Sequence, residues 1–150
     1  MSWAAEDGGT DGPSVIMVGV DGTDTSMRAA AFAGGLARRQ HARLVVVFVA
    51  APAAWVPVGG PSLALAQAQT CEALAADLRQ QVHRGAQDLG ISAVFLYRHG
   101  DPYLQLSRAA DEVRADMVVV GASTGIGHRL IGATGSRLVR AKRWPVVVVP

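Results

Sequence analysis

A single cysteine, Cys71, occurs in the chain, so no disulfide can close within it, which fits a reducing compartment. Its surroundings, Gln69-Thr70-Cys71-Glu72, read as helix with no histidine beside the thiol. An inert, structural Cys71 is the expectation, because reactive thiols need an electropositive neighbourhood. Aromatic residues are scarce at 5%, although 50% of the chain is hydrophobic. The core must be built from Val, Leu, Ile and Ala, a composition that suits a parallel sheet covered on both faces. No run approaches the roughly 18 apolar residues of a membrane span. Residues 1–13 are Gly-rich and acidic and lack the basic start and apolar centre of a secretory signal. Charge is also lacking: 14 basic residues against 12 acidic ones leave a net +2. The arginines are scattered, so no stripe exists to track a nucleic-acid backbone. Together these absences predict a cytoplasmic protein that engages neither nucleic acid nor membrane.

Missing motifs exclude further chemistries. There is no Gly-x-x-x-x-Gly-Lys-Ser/Thr loop, so P-loop nucleotide hydrolysis is unsupported. The first turn, Asp21-Gly22-Thr23-Asp24, is not Gly-x-Gly-x-x-Gly, and no Gly-x-Ser-x-Gly elbow occurs. The four histidines, His41, His83, His99 and His128, lack metal-ligand spacing. No residue set pairs a nucleophile with a base, so no catalytic residue is assigned.

What is present is alternation. With 150 residues, the chain suits one domain, predicted over 14–150, with residues 1–13 as a disordered tail carrying Trp3. Residues 15–20 form an apolar run ending at Asp21-Gly22, a buried strand and a turn. A helix follows to about Gln40, capped by Thr25 or Ser26, with Ala29, Ala33, Leu36 and Ala37 as its apolar stripe. Residues 44–50 are a second strand, and residues 51–61 a Pro- and Gly-bearing loop with Trp55, read as that loop's surface anchor ahead of a residue that folds over a bound base. Ser62 opens a long helix that Gly90 stops, with Leu74, Leu78, Val82, Ala86 and Leu89 at helical spacing. Residues 92–98 form a third strand whose mixed pattern suggests an exposed edge. Asp101 caps a third helix with Pro102 at its first position, and Leu106, Ala110 and Val113 make its buried face. Residues 116–120 lead into a fourth strand, and a Gly-rich loop covers 121–132. A last helix spans about 134–142, and residues 145–150 form a fifth strand preceded by Trp144, read as packing near a subunit contact. This order predicts βαβ units: an α/β, doubly wound, parallel five-stranded sheet with helices on both faces.

In such sheets ligands sit beyond the carboxyl ends of strands, where the strand order reverses. Strands one and four flank that crevice, and their ends carry Asp21 and Gly121. A carboxylate at Asp21 suits an amino or hydroxyl group of a nucleoside, or simply closes the turn on nearby N–H groups. Glycines 121, 125, 127 and 132 let backbone amides approach phosphate oxygens, and the next helix aims its positive end at the same place. Ser123, Thr124 and Thr134 would add hydroxyls and Arg129 a charge. The plainer reading is a Gly-rich connection with Thr134 as the helix cap.

These pieces, in this order, resemble the universal stress protein family over about residues 14–150. Val20-Asp21-Gly22-Thr23 followed by Ser26 and Ala29-Ala30, then Gly100-Asp101-Pro102, then Gly132-Ala133 and Pro145-Val146-Val147-Val148-Val149 carry the resemblance. It implies the strand order 3-2-1-4-5 and a homodimer through Val146–Val149. An apolar fifth strand with no helix after it also invites self-pairing on physical grounds. ATP-binding members carry Gly-x-x-Gly, nine residues, then Gly-Ser/Thr. From Gly121 to Gly132 the loop here is two residues shorter, and Ala133 replaces the hydroxyl residue. Counting nine residues from Gly125 reaches Gly135-Ser136 instead, which moves the helix start. The resemblance implies Asp21 and Val49 at base and ribose, and Gly121, Gly125, Gly132, Ala133 and Thr134 around phosphates, with Ser123 as a further donor. The leading expectation is a non-catalytic stress-response protein binding ATP or another adenine nucleotide. A nucleotide-free dimeric interaction module ranks second and a slow ATPase third.

Overall fold

A computed structural model of the chain describes residues 12–50, 60–122 and 132–150. Trp3, Trp55, Ser123, Thr124, Gly125, His128 and Arg129 lie outside them. In chain order the elements are β1 (Val15–Val20), α1 (Asp24–Gln40), β2 (Arg43–Ala50), α2 (Gly60–Leu89), β3 (Ala93–His99), α3 (Pro102–Val113), β4 (Met117–Gly121), α4 (Ala133–Ala141) and β5 (Val146–Val149). The strands form one parallel sheet in the order β3-β2-β1-β4-β5. β1 is central: Val18 pairs with Val46 on one side and Val119 on the other.

Side chains alternate across each strand, so each feeds two cores. Ile16, Val18, Val20, Leu44, Val46 and Phe48 face α1 and α2, while Met17, Val45, Val47, Val118 and Val120 face α3 and α4. Ile16 and Met17 are both wholly buried, and each such side chain contributes about 1.5–3 kcal/mol. Ala29, Ala33 and Ala37 of α1 are likewise wholly buried. Their small size lets the helix lie close against β1, which explains why the stripe is alanine rather than leucine. Leu106, Ala109 and Ala110 anchor α3, and Leu138 anchors α4. On β2 and β3, the rings of Phe48 and Tyr97 stack with centroids 5.4 Å apart.

The sheet is closed early in its register by Asp116. Its Oδ2 accepts from the amides of Ser14 and Val15, each at 2.9 Å, although they lie 102 and 101 residues away in sequence. The Asp116 amide donates back to the Val15 carbonyl at 2.9 Å. At the other end of the sheet, Arg28 Nε of α1 donates to the Pro150 carbonyl at 3.0 Å.

Helix boundaries depart from the sequence reading in instructive ways. The N-cap of α1 is Thr23, whose Oγ1 accepts from the Ser26 amide, not Thr25 or Ser26. Ser26 faces inward instead, donating to the Thr23 carbonyl and accepting from the Asp21 amide. The first helical residue of α4 is Ala133, so Gly132 is its cap and Gly135 lies inside the helix. This removes the alternative count ending at Gly135-Ser136, and Thr134 is not the cap. Gly90 ends α2 in the left-handed region at φ +67°, as expected, but His41, Arg114 and Lys142 do the same for the other helices without being glycine. Asp101 and Pro102 open α3 as the sequence indicates, with Oδ2 of Asp101 accepting from the Leu104 amide at 2.9 Å. Cys71 lies half-buried on α2. Among the described residues no helix is long and apolar enough to cross a membrane.

Candidate functional site

The carboxyl ends of β1 and β4 separate where the strand order reverses, and a cleft of about 290 Å³ opens there. Its floor is apolar: Val20 of β1, Val47 and Val49 of β2, Val120 of β4 and Leu106 of α3. Its rim is polar and comes from three helix starts. Thr23, Thr25 and Ser26 belong to the start of α1, Pro102 to α3, and Gly132, Ala133, Thr134 and Gly135 to α4.

Asp21 stands at the end of β1, and Gly22 makes the turn with φ +84°, a conformation that disfavours any side chain. Leu74 of α2 packs against that glycine, 3.3 Å from where a Cβ would sit. The Asp21 Oδ1 accepts from the Thr23 amide at 3.0 Å and from the Thr23 hydroxyl at 2.6 Å. Burial pushes the Asp21 carboxyl up, but these bonds, with help from Ser26 and its own amide, outweigh burial and hold it below the usual aspartate value. The group is thus an anion at neutral pH. Both Thr23 bonds fall on Oδ1, so Oδ2 keeps acceptor capacity. The plain turn role and a ligand role therefore coexist in one side chain.

Gly121 ends β4 against the first turn of α1. A Cβ there would come within 2.7 Å of the Thr25 carbonyl carbon and oxygen and 2.8 Å of the Ser26 amide nitrogen. The glycine is required by this backbone contact, whatever else it does for a ligand. The N-cap of α4 is Gly132, which offers no side chain to cap the first turn, and the Ser136 amide donates to the Gly132 carbonyl. Among the described residues the amides of Ala133, Thr134 and Gly135 have no hydrogen-bond acceptor, and they lie at the positive end of the helix dipole.

The cleft brings together six of the residues the sequence singles out: Asp21, Val49, Gly121, Gly132, Ala133 and Thr134. Ser123 and Gly125 lie outside the described residues. The sequence reading did not select Val47, Pro102 or Leu106 as site residues. Val47 is two positions before Val49 on the same strand face, so the period of β2 carries a signal for it. Leu106 is one turn into α3 from Pro102, a face that only the packed structure aims at β1. Among the described residues there is no group of three His, Cys, Asp or Glu side chains placed to hold a metal.

Next to the cleft, Arg137 of α4 reaches across to α3. Its guanidinium lies over the Tyr103 ring, 4.2 Å from the centroid, and its Nη1 is 3.2 Å from Oδ2 of Asp101. A second link, from Arg143 to Asp111, joins the same two regions at 2.6 Å farther from the cleft.

The sequence profile of the universal stress protein family matches residues 14–150. A universal stress protein of Methanocaldococcus jannaschii is 25% identical over 138 residues, covering 89% of this chain and 80% of the relative. A crystal structure of a protein of the same family from Burkholderia pseudomallei superposes with a TM-score of 0.70 at 27% identity, over 91% of this chain and 96% of the other. A universal stress protein crystallised in complex with cAMP gives 0.68 at 26% identity, over 91% and 96%.

Proposed function

From the premise that the chain belongs to the universal stress protein family, we propose that its cleft binds an adenine nucleotide and that the protein acts by binding, as a stress-response protein, rather than by catalysis. One observation carries this reading: an anionic acceptor and a helix start with a glycine N-cap share one apolar-floored cleft. The valines and Leu106 suit a flat base. Asp21 suits the hydroxyls of a ribose. The amides at the start of α4, with Thr134 beside them, suit a phosphate. The cleft is close to the small end of ligand pockets, about 300–1,000 Å³, which fits a mononucleotide rather than a dinucleotide. The cAMP complex of a relative supports an adenine ring as the base. ATP is the expected ligand among these.

The experiment is mass spectrometry of the protein purified without added nucleotide, followed by calorimetric titration with ATP, ADP and AMP. Binding in the micromolar range with one site per chain is expected. No co-purified nucleotide and no heat or thermal shift at millimolar ATP would remove the reading.

A second reading concerns assembly, and β5 favours it. The carbonyls of Pro145 and Val149 bond to β4 through the amides of Val118 and Ala122. In a parallel ladder the residues between them, Val146 and Val148, turn their N–H and C=O groups to the open side. Val139 of α4 is 45% exposed. An apolar open edge of this kind supports a two-fold homodimer through Val146–Val149. Light scattering should give twice the chain mass, and a monomer at high micromolar concentration would refute it.

A further inference from the structure

Two arginine–aspartate links join α3 to the α4 region, and they differ in kind. Arg143 Nη2 holds both oxygens of Asp111 at 2.6 and 2.7 Å. Those are the distances of strong charge-assisted bonds. Arg137 meets Asp101 through Nη1 alone, at 3.3 and 3.2 Å, with both partners about half exposed. This looser link stands beside the cleft, because Asp101 and Tyr103 flank Pro102, which lines it, and Arg137 is one turn along α4 from Ala133, which lines it too. Among the described residues the Nε–H and Nη2–H edge of the guanidinium has no hydrogen-bond acceptor, and the long Nη1 contacts leave that edge for another. Tyr103 holds the plane of the group from below, 4.2 Å from its ring centroid, so the arginine stays oriented even without Asp101.

We propose that Arg137 sets the preference of the cleft for nucleotides with more than one phosphate, with Asp101 as the built-in carboxylate that an outer phosphate displaces. The inference rests on the nucleotide reading above and adds the ligand class to it. A first phosphate is met by the amides at the start of α4. The next ones extend away from the apolar floor toward the two helix starts, where the arginine fork suits a phosphate better than the long Nη1 contacts it now makes with Asp101. Asp101 cannot follow, because its Oδ2 also caps α3 through the Leu104 amide. It acts as a fixed competitor that weakens ATP and ADP binding while leaving a monophosphate untouched.

The test is the ratio of ATP to AMP affinity, measured by calorimetry on the full chain and its variants. Arg137→Gln should lower that ratio by about tenfold, the scale of one charge-assisted contact. Arg137→Lys, which keeps charge without the fork or the stack, should restore only part of it. Asp101→Asn preserves the helix cap and should raise the ratio several-fold. A purely structural clasp would move both affinities together, so an unchanged ratio in Arg137→Gln and Asp101→Asn overturns the inference. A wild-type chain that binds no nucleotide overturns the reading beneath it, and this one with it. Thermal melts of each variant establish that it is folded.

Discussion

Gly121 and Thr25 touch backbone to backbone: a side chain on the glycine would sit 2.7 Å from the Thr25 carbonyl. The contact locks the end of β4 to the first turn of α1, and with it two sides of the cleft. Gly121→Ala is expected to destabilise the ligand-free protein by about 1–3 kcal/mol, because the obstacle is backbone and cannot rotate away. At this chain length each kcal/mol corresponds to roughly 2–4 °C in Tm. Differential scanning calorimetry without nucleotide checks it. An unchanged Tm would mean that β4 and α1 separate freely.

Asp21 gives a pH signature. Burial pushes its carboxyl up, yet the Thr23 and Ser26 bonds leave it below its ordinary value. A carboxyl lowered on folding stabilises the protein above the unfolded pKa of about 3.9, and that contribution disappears as pH falls through the lower folded value. The stability gap between wild type and Thr23→Val, read from urea midpoints, should therefore be constant above about pH 5 and shrink toward pH 2–3. Solvent at this exposed site keeps the charge-dependent part below about 1 kcal/mol. A gap that widens on acidification would contradict the assignment.

Asp101 separates capping from charge. Replacing it with Ala removes the bond to the Leu104 amide and should cost about 0.5–2 kcal/mol, whereas Asn, an equally good cap, should cost far less. Chemical denaturation of the two variants side by side tests this. Equal losses would show that the pair with Arg137, rather than the cap, supplies the stability.

Val148 is a probe of the open edge. Proline there removes an N–H that no strand among the described residues uses, while Val147 and Val149 keep their registers with β4. Val148→Pro should leave a folded monomer where the wild type forms dimers, as seen by light scattering with circular dichroism. A dimer that survives would place the interface elsewhere.

The fold was legible because its strands are short, mostly apolar runs, valine-rich in β2, β4 and β5, separated by helical stripes. Residues 146–149 are four consecutive valines and need no partner to be recognised. The Asp101-Pro102 helix start was equally plain, since both residues act within one turn. The cap of α1 was not. Thr23, Thr25 and Ser26 all offer the same hydroxyl, and the choice fell to Thr23 because burial against β4 turned the other two inward. The glycine at position 121 was noticed for its permissive backbone, but its contact with Thr25 lies across nearly a hundred residues of chain and leaves no local trace. The tilt of Leu106 and the reach of Arg137 over Tyr103 are equally products of how two helices settle on the sheet.

The bond from Asp116 to the amides of Ser14 and Val15 has a bearing on how the chain is made. Of the five described strands the innermost leaves the ribosome first, yet one of its two neighbours is encoded more than a hundred residues later. During synthesis β1 and β2 must wait with one bare flank until β4 emerges and Asp116 arrives to fasten the start of the sheet. Nascent chains of this topology fold late and offer a sticky edge meanwhile. Truncations stopping before Asp116 should bind chaperones and aggregate, while those extending past Val149 should not.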